Sequence, residues 1–206
     1  MALFYQSATR NLPDGYTFRG AMLNDIPVIA YLFNQSQMNQ LSGNNFPFAE
    51  MRTEWKTPQF NPALDVRLVF DQREHLIGYI EVWTVKGLET HPWLWGCVHP
   101  DYEGRGIGTA LLRWAEARVT LAMELLPANW RVAPRFGTLR TLKTAPALCA
   151  ALGWQLLQKD QDITLQPIKL ASALRLAQNT GLPNCGVYSV YEKEIRPGKE
   201  PYPEVM

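Results

Sequence analysis

Apolar residues recur along this chain with two alternating periods, about two in some stretches and about 3.6 in others, and the switches between them mark strands and helices. Between Asp65 and Thr84 the period is two. Val66, Leu68 and Phe70 alternate with Arg67, Val69 and Asp71, a polar turn covers Asp71 to Glu74, and the pattern resumes from Leu76 to Trp83. This predicts an antiparallel hairpin, with Gly78 marking a bulge. Leu94 to His99 is a short apolar run suited to a buried central strand, and Pro100 ends it because proline has no N–H to add to a ladder. A Gly-rich turn follows over Asp101 to Gly108. From Thr109 the period lengthens, with Ala110, Leu111 and Trp114 on one face, and a helix is expected from Thr109 to near Leu125, ahead of Pro127.

The remaining elements are read on either side of that strand, turn and helix. Pro13 to Gly15 is a turn, Tyr16 to Met22 a first strand, and Asn24 a cap for a helix beginning near Asp25 that turns Ile26, Ile29, Ala30 and Phe33 inward. Met51 and Trp55 stand at helical spacing within the less regular stretch from Gln35 to Pro62. A strand is expected over Phe136 to Thr141 and a helix from Pro146 to Gly153. A closing hairpin joins Trp154–Leu157 to Asp162–Leu165, a helical pattern covers Ile168 to Gln178, and a late strand lies within Val187 to Ile195 before a Pro-rich tail. The late strand is expected to cover an edge of this sheet or of a partner's, which leaves a homodimer open.

The turn carries the most specific chemistry. Gly104, Gly106 and Gly108 allow positive φ and close approach of the backbone, and successive N–H groups at the start of a helix form a concavity suited to phosphate oxygens, with Arg105 adding a positive charge. A nucleotide-hydrolysing P-loop would need Lys and then Ser or Thr after the last glycine, where Thr109 and Ala110 stand. A dinucleotide fold would need GxGxxG and a second mononucleotide half. Neither design fits.

Val98 to Leu112, VHPDYEGRGIGTALL, resembles instead the pyrophosphate loop of the GNAT family, the Gcn5-related N-acyltransferases that bind acyl-coenzyme A. The likeness extends more weakly from about Tyr16 to Thr164. The family pattern (Arg or Gln)-x-x-Gly-x-(Gly or Ala) falls on Glu103, Gly104, Arg105, Gly106, Ile107 and Gly108, with Glu103 where Arg or Gln is usual. A second motif, (Leu or Phe)-Tyr-x-x-x-Gly-Phe, falls on Leu148 to Trp154, with Cys149 at the Tyr that often protonates the departing thiolate. The resemblance implies a single-domain α/β GNAT-like fold, with a mixed, mostly antiparallel central sheet flanked by helices. On that scheme residues 1–15 are a lead-in, 16–165 the acyl-CoA-binding domain and 166–206 a C-terminal extension. It also implies an N-acyltransferase, most simply an N-acetyltransferase, moving an acyl group from acetyl-CoA or another acyl-CoA to a small-molecule amine or a protein amino group. The alternative is a non-catalytic acyl-CoA-binding or sensor module.

Composition narrows this picture without redirecting it. The chain has 206 residues, 47% apolar and 19% charged, with a net charge of +1, which suits a folded globular protein and gives no overall reason to expect nucleic acid or membrane binding. Between Arg105 and Lys143 seven basic residues face two acidic ones, a bias that fits either coenzyme phosphates or a solvated helix face. Cys97, Cys149 and Cys185 are too scattered for a disulfide framework or a zinc cluster, and no metal is expected. With neither a signal-like segment nor a membrane-length apolar run, a cytoplasmic protein is expected.

Acyl transfer to an amine needs a held cofactor, a polarised carbonyl and a deprotonated nucleophile. The resemblance assigns cofactor contacts to the backbone of Cys97, Val98 and His99 and to the loop from Glu103 through Gly104, Arg105, Gly106, Ile107 and Gly108 to Thr109. Glu81, a lone carboxylate on an apolar strand, is the candidate base; a solvent-facing edge residue is the competing reading. His99 is expected to steady the turn, and Trp83, Trp93 and Trp95 either wall the acceptor site or fill the core.

Overall fold

The alternation over residues 66–83 folds as a hairpin because it gives each strand one face for each of two apolar layers. In the computed structural model, which describes residues 12–36, 48–58, 60–84, 90–139, 144–157 and 188–200, these strands are β2 (Val66–Phe70) and β3 (Leu76–Trp83). The register slips between Val69 and Phe70, which pair with Gly78 and Leu76 and leave Ile77 as the extra residue of a bulge. The bulge turns Ile77 and Gly78 to the same side. A Cβ at Gly78 would stand 3.0 Å from Ile107 and 3.3 Å from Leu111, so glycine lets the long helix settle directly on the strand.

Around this hairpin stand β1 (Thr17–Arg19), β4 (Trp93–Val98), β5 (Arg135–Leu139), β6 (Gln155–Leu156) and β7 (Tyr188–Glu192). The seven strands lie in the order β1-β2-β3-β4-β5-β7-β6, and every neighbouring pair is antiparallel except β4 and β5, which run parallel. This is the expected mixed, mostly antiparallel sheet. The late strand is β7, lying between β5 and β6. Gln155–Leu156 pairs with β7, while the Asp162–Leu165 half of the expected hairpin, the helical pattern over 168–178 and Cys185 fall outside the described residues.

One face of the sheet is covered by α1 (Ile26–Gln35) and α2 (Phe48–Glu54), whose Ile29, Leu32, Phe33 and Met51 pack on Val66, Leu68 and Tyr79. The other face is covered by α4 (Ile107–Ala122) and α5 (Thr144–Ala151). Here Ile107, Leu111, Trp114, Ala115 and Val119 pack on Val69, Ile80, Val82 and Leu94. Each fully buried Leu or Ile contributes roughly 1.5–3 kcal/mol, so both layers are needed to hold a sheet apolar on its two faces. A single turn, α3 (Pro62–Asp65), leads into β2, and its buried Asp65 meets Arg118 of α4 at 2.6 Å around the sheet edge.

Three helix starts differ from the sequence expectation, that of α5 lying at Thr144, two residues before Pro146. Asp25 rather than Asn24 stands at the cap of α1, because a 3-10 turn over Leu23–Asp25, closed by the Asp25 carboxylate accepting the Met22 N–H, puts the first α-helical residue at Ile26. The helix α4 begins at Ile107, two residues before Thr109, because Gly106 takes a left-handed conformation with φ +82° and closes the turn there. Its 16 residues then give way to a 3-10 turn over Met123–Leu125.

Candidate active site at the break in the sheet

Parallel β4 and β5 separate almost as soon as they meet. Their register pairs Trp93 with Arg135 and Leu94 with Phe136, and no pairing continues along Trp95–Val98. On its other edge β4 stays paired with β3 through Val98. The His99 N–H donates to Ile77 O at 2.8 Å, so the alternation of an antiparallel ladder turns the backbone of Cys97 and Trp95 toward β3 as well. Leu94, Gly96 and Val98 therefore present their backbone groups on the β5 side. Of the three residues expected to offer backbone contacts to a cofactor, Val98 faces the gap, joined by Gly96, while the N–H of His99 is committed to β3. A Cβ at Gly96 would stand 2.5 Å from Tyr79 O, so the close approach of β3 requires glycine. Across the gap the Thr138 hydroxyl of β5 is buried and has no hydrogen-bond partner among the described residues.

From the end of β4 the chain passes through a 3-10 turn, Pro100–Tyr102, into the glycine loop. Gly104 has φ +74° and Gly106 φ +82°, whereas Gly108 already lies in the first turn of α4. The first helical bond runs from Ala110 N–H to Gly106 O, so the N–H groups of Gly104 through Thr109 donate to no backbone carbonyl among the described residues. That leaves a cluster of donors at the positive end of a 16-residue helix. A Cβ on Gly104 would meet nothing within 4 Å, so the loop has room for a ligand beside it. Unused donors, positive helix end and open space together fit a pyrophosphate.

Tyr102, which drew no attention in the sequence, pins this loop. Its hydroxyl donates to Asp71 at 2.7 Å, its ring meets Tyr16 and His99 edge-on, and the Arg105 guanidinium lies 4.8 Å over it. Arg105 also donates to Asp101 O at 2.8 Å, and His99 Nδ1 accepts the Asp101 N–H, the turn-steadying role expected of it. Burial would raise the carboxyl of Asp71, but the Tyr102 hydroxyl and the N–H groups of His75 and Arg73 outweigh it and hold Asp71 at about 2. Glu103 accepts from the Thr144 hydroxyl at the start of α5 at 3.1 Å, so the acidic replacement ties the loop to that helix.

Glu81 lies on the other face of the sheet, under α2. It is 1% exposed, which removes the reading of a solvent-facing edge residue. Its carboxylate accepts from Trp55 Nε1 at 3.2 Å, and Trp95 is its register partner on β4. Trp83 stacks on Phe60 at 4.2 Å on the same face, and Trp83 and Trp95 are half-buried against the α1/α2 layer, so both line this face without being sealed inside it. Neither of the two described cysteines is a ready nucleophile. Burial pushes the Cys149 thiol up to about 12, and it pushes Cys97 to about 12 against the opposing hydrogen bond from Ser36. Cys149 is fully buried in the α4/α5 layer, and Gly153 at φ +78° ends its helix just as the second motif requires a glycine there.

The profile of the acetyltransferase (GNAT) domain matches residues 65–161, which run from the end of α3 through the glycine loop to just past β6. Among solved structures, a GCN5-related N-acetyltransferase from Sphaerobacter thermophilus superposes with a TM-score of 0.63 at 24% identity over 71% of this chain, which spans 45% of that one. A phosphinothricin acetyltransferase from Sinorhizobium meliloti, solved in complex with AcCoA, reaches 0.63 at 18% identity over 93% of this chain and 94% of its own. The ribosomal-protein-S18-alanine N-acetyltransferase from Escherichia coli gives 0.53 at 15% identity, covering 91% and 99%. At these identities the likeness is one of fold. No curated protein matches the sequence significantly. With the sheet broken between β4 and β5 and the glycine loop opening α4, the chain has a GNAT-like fold and carries over residues 65–161 the match to the acetyltransferase (GNAT) domain.

Proposed function

We propose that this chain is an acyl-CoA-dependent N-acyltransferase that uses acetyl-CoA and passes the acyl group directly to the amine of a small molecule or a protein. The observation that carries this reading is the meeting, around one break in the sheet, of an unused donor cluster at the start of α4 and a buried carboxylate on the strand next to β4. The N–H groups of Gly104 to Thr109 would hold the pyrophosphate, and the gap-facing backbone of Gly96 and Val98 would take the amide groups of an extended arm as a neighbouring strand would. When bound, the cofactor supplies an acyl group activated as a thioester. Glu81 would hold the amine and take a proton from its nitrogen onto the carboxylate, leaving a lone pair for attack. Cys149, neutral and buried, is unsuited to acting as an acid, so this reading places the chain's proton chemistry on the Glu81 side of the sheet.

Calorimetric titration with acetyl-CoA, with free coenzyme A as the matched comparison, tests the first half. Both are expected to bind, and failure of both to bind folded protein would end this reading. Thiol release in the presence of a panel of amines tests the second half: Glu81→Gln is expected to lower kcat by about 10²–10⁴-fold with acetyl-CoA affinity unchanged. Binding of the cofactor without transfer to any amine would favour the non-catalytic binding module.

A further inference from the structure

Thr138 on β5 is 3% exposed, and among the described residues its hydroxyl has no hydrogen-bond partner. A buried hydroxyl left unpaired is costly, so a threonine in this place calls for a reason that a valine of the same shape would not. Alternation along the strand fixes which way it points. A Cβ at Gly137 would meet the rings of Trp93 and Trp95 at 3.7 Å, and Trp95 packs on the α1/α2 layer. Phe136 faces the other way, into the α4/α5 layer and edge-on to Trp154. Thr138 shares the face of Phe136.

Its place along the gap is equally defined. Leu94 pairs with Phe136, so Thr138 comes level with Gly96, two residues beyond the last pair of β4 and β5. Leu94 is 0% exposed, whereas Gly96, Cys97 and Val98 are each partly exposed. The edge of β4 that faces β5 is therefore closed at Leu94 and reached by solvent from Gly96 outward, and Thr138 stands on the opposite wall at the inner end of that opening. Its other neighbour is Ser189, its register partner on β7. Glu81 lies at almost the same level, paired with Trp95, but its carboxylate meets Trp55 on the other face of the sheet. A hydroxyl on one face and a carboxylate on the other thus flank the inner end of the gap.

We infer that the Thr138 hydroxyl donates a hydrogen bond to the carbonyl oxygen of the bound acyl group and so polarises the thioester. This rests on the acyltransferase reading and adds the one requirement of the reaction that the glycine loop, the gap-facing backbone and Glu81 leave unassigned. An arm anchored by its phosphates at Gly104 to Thr109 and held in turn by Val98 and Gly96 ends at the level of Thr138, because the strands close at Leu94. A threonine hydroxyl has one proton to share in a hydrogen bond, and this one has no partner among the described residues to give up first. As the amine nitrogen adds to the carbonyl carbon, negative charge builds on the oxygen, and a donor already fixed in a buried place stabilises that charge without reorganising. The hydrogen bond transfers no proton, so proton removal stays with Glu81 on the other face.

The test compares acetyl-CoA with S-ethyl-coenzyme A, which has the same arm but a thioether in place of the thioester, by calorimetry on the full chain without an amine. The wild type is expected to bind acetyl-CoA more tightly, and Thr138→Val to weaken acetyl-CoA about tenfold while leaving S-ethyl-coenzyme A unchanged. Infrared spectra of acetyl-CoA isotope-labelled at the carbonyl carbon should place its stretch at lower wavenumber on the wild type than on Thr138→Val, and Thr138→Ser, which keeps the hydroxyl, should retain the wild-type position. The thermal midpoint of Thr138→Val without ligand is expected to match or exceed that of the wild type, since only an unpaired hydroxyl is lost. A lower midpoint, an equal loss of affinity for both compounds, or a carbonyl band that does not move would each overturn the inference, while acetyl-CoA binding in the same titrations would leave the acyltransferase reading standing. Failure of both acetyl-CoA and coenzyme A to bind would overturn the two together.

Discussion

Gly104 and Gly108 stand four residues apart in one motif and do different things. At φ +74° Gly104 is in a region that costs an L-residue roughly 1–2 kcal/mol, although space for a Cβ is open. Gly108 is helical, and a Cβ there would meet the tip of Leu148 at 3.0 Å and Val98 at an ordinary 3.8 Å. Gly104→Ala is therefore expected to lower the thermal midpoint by roughly 2–8 °C, while Gly108→Ala should shift it by no more than about half as much. Equal shifts in a melting experiment would contradict the assignment. The sequence marks all three glycines as a phosphate turn but cannot say which carries positive φ, because that depends on where the helix begins. Glu81 was legible as a lone carboxylate on an apolar strand. Tyr102 was not, since a tyrosine at an apolar position reads the same whether its hydroxyl is idle or pins a loop.

At the scale of one strand, β4 has two unlike edges. Trp95, Cys97 and His99 direct their backbone to β3, whereas Gly96 and Val98 direct theirs to the gap. Amide hydrogen exchange read residue by residue is expected to be fast at Gly96 and Val98 and slow at Cys97 and His99 in the free protein, with coenzyme A slowing the first pair. Uniform protection along β4 would contradict the register. Strand periodicity located β2, β3 and β4 to within a residue or two because each has a continuous pattern of its own. The break between β4 and β5 left no such trace: it is set by how two strands some forty residues apart in sequence diverge after two pairs. The same holds for β7, which was readable as a strand, while its place between β5 and β6 comes from pairing rather than from local pattern.

Across the whole molecule, two buried carboxylates stand at opposite ends of the central strands. Asp71 holds the loop end through Tyr102. Glu192 holds the other end, against Arg131 at 2.6 Å, Arg135 at 3.0 Å and His91 at 3.4 Å. Burial would raise Glu192, but His91, Arg131 and Arg135 outweigh it and bring it to about 2. Both folded values lie below the unfolded ones, so the stability these groups provide is complete above roughly pH 5 and drains as pH falls toward about 2. His91 has the opposite sign. Burial alone would lower it, but Glu192, Ala133 O and Glu200 raise it, so its contribution is complete below its unfolded value and is lost as pH rises through the folded one. Denaturant unfolding followed from pH 7 to pH 3 should show falling stability, and Glu192→Gln should flatten part of that slope; a variant with the wild-type slope would rule out this end of the sheet as a source.

The position of β7 has a consequence for the order of assembly. Five strands that leave the ribosome one after another, β1 to β5, can pair as they emerge, and the glycine loop is already among them. Gln155–Leu156 emerges next and has no partner waiting, because the strand that joins it to β5 follows some thirty residues later. During synthesis β5 is therefore a bare edge, and the wall on the far side of the gap is finished only after the loop that is to hold the phosphates has been made.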